Sequence, residues 1–266
     1  MEDYVNSVIE GDCLRVMKRL ADQSIDMVLC DLPYGITNNP WDQIIDLVKL
    51  WKEYKRIIKP NGVIILTSAG RFTGQLIESN PQWFKYKIVW LKSKATNFLN
   101  ANRQLLRRHE DICVFYKNQP VYNPQKIAGA PYDKGVRRDQ KTGTYNDFGT
   151  SRSINLSGMR FPCDVLVEVE HPIDWLYFVT AEREGNFHPT QKPVDLARWL
   201  IRTYTHPGYL LLDNACGGGS FLVAAVLEGR NFIGIELNDQ SYHFGKKVDY
   251  VAICRQRIEE AAQQHI

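Results

Sequence analysis

The sequence predicts an α/β protein: a doubly wound sheet with helices on both faces, carrying a small irregular insert. Three observations predict it. Short apolar runs of strand length alternate with amphipathic stretches of helix length. Two of these runs end in turns that carry chemistry, Asp31-Leu32-Pro33-Tyr34 and the glycine-rich stretch Asp213 to Ser220. Periodicity then fades between residues 118 and 184, where Pro, Gly, Tyr and basic residues dominate.

The elements follow in order. Val5 to Glu10 reads as a strand with Asp12 at its end, and Leu14 to Leu20 as a helix. Ile25 to Cys30 is a buried strand. Asp42 to Ile58 spaces Ile44, Leu47, Val48, Trp51, Tyr54 and Ile58 along one helical face. Lys59-Pro60-Asn61-Gly62 stops that helix. Val63 to Thr67 is a strand, Phe72 to Glu78 a short helix, and Tyr86 to Leu91 and Ile112 to Tyr116 are strands. After the insert, Pro193 to Thr205 is a helix, punctuated by Pro193 at its start and Pro207-Gly208 beyond its end. Leu210 to Leu212, the glycine turn, the helix Phe221 to Glu228 and the strand Asn231 to Glu236 form a βαβ unit. Tyr250 to Ala262 is the last helix.

In open α/β sheets ligands bind outside the carboxyl ends of strands. At such an end, Asp31, Pro33 and Tyr34 suit a flat base that carries an exocyclic amine. The carboxylate accepts one amine hydrogen. Pro33 fixes a nearby carbonyl for the second, and Tyr34 offers a face for stacking. A plain strand-to-turn junction uses the same residue types. In the βαβ unit, glycines allow close backbone approach to a ligand, and Glu236 is placed to accept from a ribose diol. Leu222 stands where a dinucleotide site has its third glycine, and there is no Gly-x-x-x-x-Gly-Lys. A nucleoside cofactor without phosphates fits better.

At 266 residues and 44% apolar, the chain can bury one substantial core and a smaller module. Net charge is only +3, but Lys92 to Arg152 holds 12 Lys and Arg against 5 Asp and Glu. A basic segment on a slightly acidic core suits a polyanion. Six scattered cysteines show no zinc spacing and suit a reducing compartment. The N-terminus carries no signal pattern and no apolar run spans a membrane, so a cytoplasmic protein is expected. Phe161-Pro162-Cys163 and Cys216 read as structural rather than nucleophilic. His109-Glu110 reads as a local pair, and Trp51, Trp83, Trp175 and Trp199 as core aromatics.

The motifs together resemble the S-adenosylmethionine-dependent amino-methyltransferases of DNA. Asp31-Leu32-Pro33-Tyr34 resembles their Asp-Pro-Pro-Tyr, and Asp213 to Ser220 their Asp-Pro-Phe-x-Gly-Ser-Gly-Thr. The order, catalytic motif first, resembles the permuted beta group. Gly11-Asp12-Cys13 resembles the turn that receives the cofactor adenine. Val89-Trp90-Leu91-Lys92, Asn97 and His109-Glu110 resemble the segment beside the target-base pocket. Tyr122 to Gln125 resembles the entry to the target-recognition region, and His188 to Pro193 the segment before the cofactor strand. Leu32 and Asn214-Ala215 depart from the pattern.

The resemblance implies a Rossmann-like methyltransferase sheet, with residues 1–117 as the catalytic part, 118–184 as target-recognition region and 185–266 as the cofactor part. It implies catalytic roles for Asp31, Pro33 and Tyr34. S-adenosylmethionine would be held by Asp12, Cys13, Asp31, Lys192, Asp213, Cys216, Gly217, Gly219, Ser220 and Glu236, with Lys192 at its methionine end. Lys92, Asn97, Arg107, Arg108, Arg137, Arg138 and Lys141 would meet DNA, and no metal is implied. The implied product is N6-methyladenine in a short duplex site of a bacterial or phage restriction-modification setting. A cognate restriction endonuclease and a homodimer are compatible partners. Cytosine-N4 methylation is the alternative within the class. A nicotinamide-dependent oxidoreductase and an inactive DNA-binding module are the alternatives outside it.

Overall fold

A computed structural model describes residues 4–37, 39, 42–137, 150–167, 181, 185, 187–188, 190–238, 242–243 and 246–264. The chain begins with β1 (Ser7–Glu10), α1 (Cys13–Met17), β2 (Ile25–Cys30), α2 (Leu47–Ile57), β3 (Ile58–Ser68) and α3 (Arg71–Ser79). A long hairpin follows, β4 (Phe84–Thr96) and β5 (Arg107–Phe115). Then come β6 (Tyr132–Arg137), β7 (Ser151–Asn155) and β8 (Val165–Val167). The last part holds α4 (Val194–Tyr204), β9 (Leu210–Asp213), α5 (Ser220–Leu227), β10 (Asn231–Glu236), β11 (Tyr242–His243), β12 (Lys246–Lys247) and α6 (Tyr250–Gln263).

Among the described residues the main sheet runs β1-β10-β9-β2-β3-β5-β4-β8. Its pairs are parallel except where β5 meets β3 and β4. Strand alternation divides the core into two layers. Met27, Leu29, Val63 and Ile65 pack with Leu200, Phe221 and Cys254 of α4, α5 and α6. Val28, Cys30, Ile64 and Leu66 pack with Met17, Leu50, Tyr54 and Phe72 of α1, α2 and α3. The sheet is therefore covered on both faces, as the alternating pattern predicts.

Several boundaries differ from the sequence reading, each for a local reason. Helix α2 begins at Leu47, not Asp42, because Asp46 caps it by accepting from the Lys49 N–H. Asp42 instead accepts from the N–H groups of Gly35, Ile36 and Thr37 at 2.8, 3.0 and 2.7 Å, which ties down the loop after Tyr34. Chain reversal after α2 is immediate. Ile58 already pairs with Ile25, so Lys59 to Gly62 lies within β3 rather than forming a separate stop. Lys59 donates to both oxygens of Asp26, at 2.7 and 2.8 Å.

The chain divides into two compact units, residues 1–123 with 164–266, and residues 124–163. The small unit is built on the antiparallel pair β6 and β7 and a bridge between Ile127 and Arg160. It is narrower than the expected insert of residues 118–184. Val165–Val167 adds a parallel strand beside β4 and so belongs to the main sheet.

Candidate active site

The strand order reverses direction between β9 and β2: the chain winds outward from β9 to β10 on one side and from β2 to β3 on the other, with β1 beyond β10. A crevice at the carboxyl ends follows from that reversal. A cavity of ≈ 550 Å³ lies there. It is lined by Gly11 to Leu14 after β1, Asp31 to Tyr34 after β2, Asp213 to Gly218 after β9, and Glu236 and Leu237 at the end of β10.

One wall is the glycine turn. Gly217 and Gly219 have φ of 48° and 81°, in the left-handed region that glycine adopts without strain. A Cβ on Gly219 would stand 2.4 Å from Cys254 Sγ, so the turn is pressed onto α6. The Gly217 N–H donates to Glu236 Oε2 at 2.7 Å, and the Asn238 N–H to Oε1 at 3.2 Å. Burial raises the Glu236 carboxyl above its ordinary range, against those backbone bonds. Asp213 is 2% exposed. Burial pushes its carboxyl up to about 8, although the Cys30 thiol and the Ala215 N–H oppose the shift. Cys13 also lies on the cavity, with its thiol pushed up to about 11 by burial. Asn214 Nδ2 and the Tyr250 hydroxyl are buried with no partner, and both residues line the cavity. Unsatisfied buried donors of this kind are costly and mark a place for a polar ligand.

Asp31 closes the other side. Its Oδ1 accepts from the Tyr34 hydroxyl at 2.7 Å and from the Thr67 hydroxyl of β3. Its Oδ2 accepts from Lys192 Nζ at 2.6 Å. The ring of Tyr34 stacks on Phe72, with centroids 5.3 Å apart. Lys192 is only 7% exposed and stands 3.4 Å from Glu110 Oε2. Glu110 Oε1 accepts from Lys92 Nζ at 2.8 Å. A ladder of alternating charge thus runs Asp31, Lys192, Glu110, Lys92. Beyond it a second cavity of ≈ 650 Å³ is lined by Trp90, Lys92, Lys94 and Arg107, and it shares Glu110 and Lys192 with the first.

The structure brings Asp12, Cys13, Asp31, Pro33, Tyr34, Lys192, Asp213, Cys216, Gly217, Ser220 and Glu236 onto the first cavity. Gly219 lies behind the turn, where it permits packing on Cys254. Asp12 also caps α1 by accepting from the Arg15 N–H at 2.9 Å. Lys192 reaches this cavity with its ammonium paired to two carboxylates, Asp31 and Glu110. Glu110 is no local pair with His109, because β4 and β5 set it between Lys92 and Lys192. Lys92 and Arg107 reach the second cavity. Arg108 Nε donates to the Lys92 carbonyl at 3.0 Å. Asn97 takes a left-handed φ of 71° and accepts from Asn100 Nδ2. Arg137 ends β6, while Arg138 and Lys141 lie outside the described residues, as does Trp175.

Sequence reasoning missed Thr67, Asn214, Tyr250 and Arg257. Arg257 Nη1 donates to the Gly218 carbonyl and, at 3.3 Å, to Ser220 Oγ, holding the turn from α6. No spacing signal links these residues, since they meet only through folding. Among the described residues there is no metal-binding cluster, and no helix is long and apolar enough to cross a membrane.

Residues 25–247 match the family model described as DNA methylase. The chain is 24% identical over 267 residues to the type II methyltransferase M.BglII of Bacillus subtilis, covering 90% of this chain and 67% of that one. It is 24% identical over 293 residues to the type II methyltransferase M.HinfI of Haemophilus influenzae, covering 98% and 70%. Among solved structures, the M1.HpyAVI–SAM complex superposes with a TM-score of 0.59 at 20% identity, over 95% of this chain and 98% of that one. The cytosine-N4-specific PvuII DNA methyltransferase superposes with a TM-score of 0.61 at 15% identity, over 97% and 91%. At these identities the superpositions speak for the fold.

Proposed function

The chain belongs to the DNA methylase family, and from that premise we propose that it transfers a methyl group from S-adenosylmethionine to the N6 amine of adenine in a specific duplex site. The observation that carries this reading is the Asp31 carboxylate, which lines the cavity beside the glycine turn and is joined through Lys192 to a second cavity lined by basic residues.

The first cavity fits the cofactor. Its size is that of a nucleoside-sized site. Asp31, Asp213 and Glu236 surround it with carboxylates suited to a ligand bearing cationic groups. Asn214 and Tyr250 supply donors that lack a partner. In this reading Asp12 meets the adenine and Glu236 the ribose. Asp213, the Gly217 to Ser220 turn and Cys216 hold the methionine end, while Cys13 packs beside Asp12. When bound, S-adenosylmethionine supplies an already activated methyl.

The chain's own residues then prepare the nucleophile. An exocyclic amine is weak because its lone pair is delocalised into the ring. Asp31 accepts one amine hydrogen, and a carbonyl at Leu32 or Pro33 accepts the other, which draws the lone pair out of conjugation. Tyr34 and Thr67 hold Asp31 in place, so the protein contributes mainly position and electrostatics. Asp31 receives the proton that the nitrogen sheds. The base must leave the duplex stack to reach Asp31. Lys92, Lys94 and Arg107 line the basic approach. The small unit reads the target, with Arg137, Arg138 and Lys141 as its contacts to DNA.

The motif's first residue, Asp31, supports adenine, since the family's cytosine-N4 enzymes more often carry Ser there. Cytosine-N4 transfer is the second reading, because the same acceptors serve either amine. Nucleoside mass spectrometry of DNA treated with the protein and S-adenosylmethionine decides between them. N6-methyladenine is expected. N4-methylcytosine alone would replace the first reading with the second, and no methylated nucleoside would remove both.

A further inference from the structure

The Lys192 ammonium sits where it obstructs the reaction it serves. Asp31 Oδ1 is taken by the hydroxyls of Tyr34 and Thr67. Only Oδ2 remains for an incoming amine, and Lys192 Nζ lies 2.6 Å from it. An amine that attacks an activated methyl acquires positive charge as its new bond forms. An ammonium held on the same carboxylate oxygen opposes that charge at close range in a buried setting.

The structure also shows where the ammonium can go. Glu110 Oε2 is buried and makes no hydrogen bond, although Lys192 Nζ stands 3.4 Å away. Its other oxygen is clamped by Lys92 at 2.8 Å, and the Glu110 and Lys92 side chains are 13% and 16% exposed. The clamp fixes the carboxylate with its other oxygen facing Lys192 at 3.4 Å, a longer ion pair than the 2.6 Å one from Lys192 to Asp31. A buried carboxylate oxygen that has an ion pair but no close hydrogen bond gains by drawing its cation nearer. A sub-ångström shift closes the gap from Lys192 to hydrogen-bonding distance. Glu110 and Lys192 line both cavities, while Lys92 lines only the second and Asp31 only the first, so a base arriving from the second cavity meets the ladder before it meets Asp31.

We infer that Glu110 is a positioning residue that draws the Lys192 ammonium off Asp31 as the target base enters, freeing Asp31 Oδ2 for the exocyclic amine. Lys192 thereby keeps the resting carboxylate compensated and releases it only at the moment of use. The inference rests on the methyltransferase reading and specifies how its catalytic carboxylate becomes available.

A double-mutant cycle tests it. Single-turnover transfer of labelled methyl from S-adenosylmethionine to unmethylated plasmid DNA is followed for the full chain and for Glu110→Gln, Lys192→Met and the double variant. Calorimetry with S-adenosylmethionine reports folding and cofactor affinity for each. Glu110→Gln should slow transfer about tenfold or more while cofactor affinity stays within about threefold. In the Lys192→Met background, losing Glu110 should change the rate by less than about threefold, because there is no ammonium left to withdraw. Glu110→Asp, which keeps the charge on a shorter arm, should recover part of the lost rate.

The same loss in both backgrounds overturns the inference, as does a folded Lys192→Met that transfers no methyl. If the unaltered chain neither binds S-adenosylmethionine nor methylates DNA, the function reading falls as well. Transfer by the unaltered chain with an additive cycle removes the role of Glu110 alone.

Discussion

Asp213 links the cofactor site to pH. Its carboxyl is 2% exposed and raised to about 8, chiefly by burial. At neutral pH roughly nine in ten molecules therefore carry the proton. A cation bound beside the group favours its ionised form, so binding must expel that proton. Affinity for S-adenosylmethionine should then rise about tenfold per pH unit, ~1.4 kcal/mol, up to about pH 8 and level off above it. At neutral pH, binding should release about 0.9 proton through this group. Calorimetry in buffers of different ionisation enthalpy counts the protons. Asp213→Asn is the control, because titration of the ligand itself cancels in the difference between the two proteins. Equal pH slopes and equal proton release in both would refute the reasoning. The sign for stability is opposite. The folded value lies above the ordinary 3.8, so between about pH 4 and about pH 8 the folded form holds a proton that the unfolded form has lost. Ligand-free stability should fall across that window, and Asp213→Asn should flatten the fall in urea titrations.

Three further outcomes are expected. Asp31→Asn, which keeps the shape of the side chain while removing its charge, should reduce methyl transfer at least about a hundredfold, ~3 kcal/mol, and weaken cofactor binding by much less than that; near-normal turnover would exclude Asp31 from catalysis. Gly219→Ala should destabilise the protein by about 2–4 kcal/mol, combining a left-handed φ with the clash on Cys254 Sγ; part of this should return in Gly219→Ala/Cys254→Ala, and denaturant midpoints equal to the parent's would count against the packing described. Arg137→Ala/Arg138→Ala should weaken DNA binding and make its salt dependence shallower by about 0.9 for each phosphate that is no longer neutralised. Unchanged affinity at every salt concentration would move the DNA interface to Arg103, Arg107 and Arg108.

Much of this site is written locally. Asp31 to Tyr34 and Asp213 to Ser220 each lie at the end of an apolar run, and a strand's end is where a parallel sheet exposes its ligands. Those motifs, the acid at Glu236 and the helical periodicity of residues 47–57 could be read because each depends on neighbours within one turn or one strand. The turn chemistry of Asp42 escaped that reading, since a carboxylate that gathers three backbone N–H groups looks in sequence like a helix start.

Tertiary structure decided what local pattern cannot encode. Arg257 reaches the glycine turn from the last helix, and Tyr250 reaches the cavity from the same element. Glu110 and Lys92 become partners through the register of β4 and β5, while Lys192 arrives from the segment before α4. The sequence determined that a carboxylate would stand at the end of β2 and a glycine turn at the end of β9. Only the pairing of β9 with β2 made them one site, because charges far apart along a chain interact only after folding has excluded the water between them.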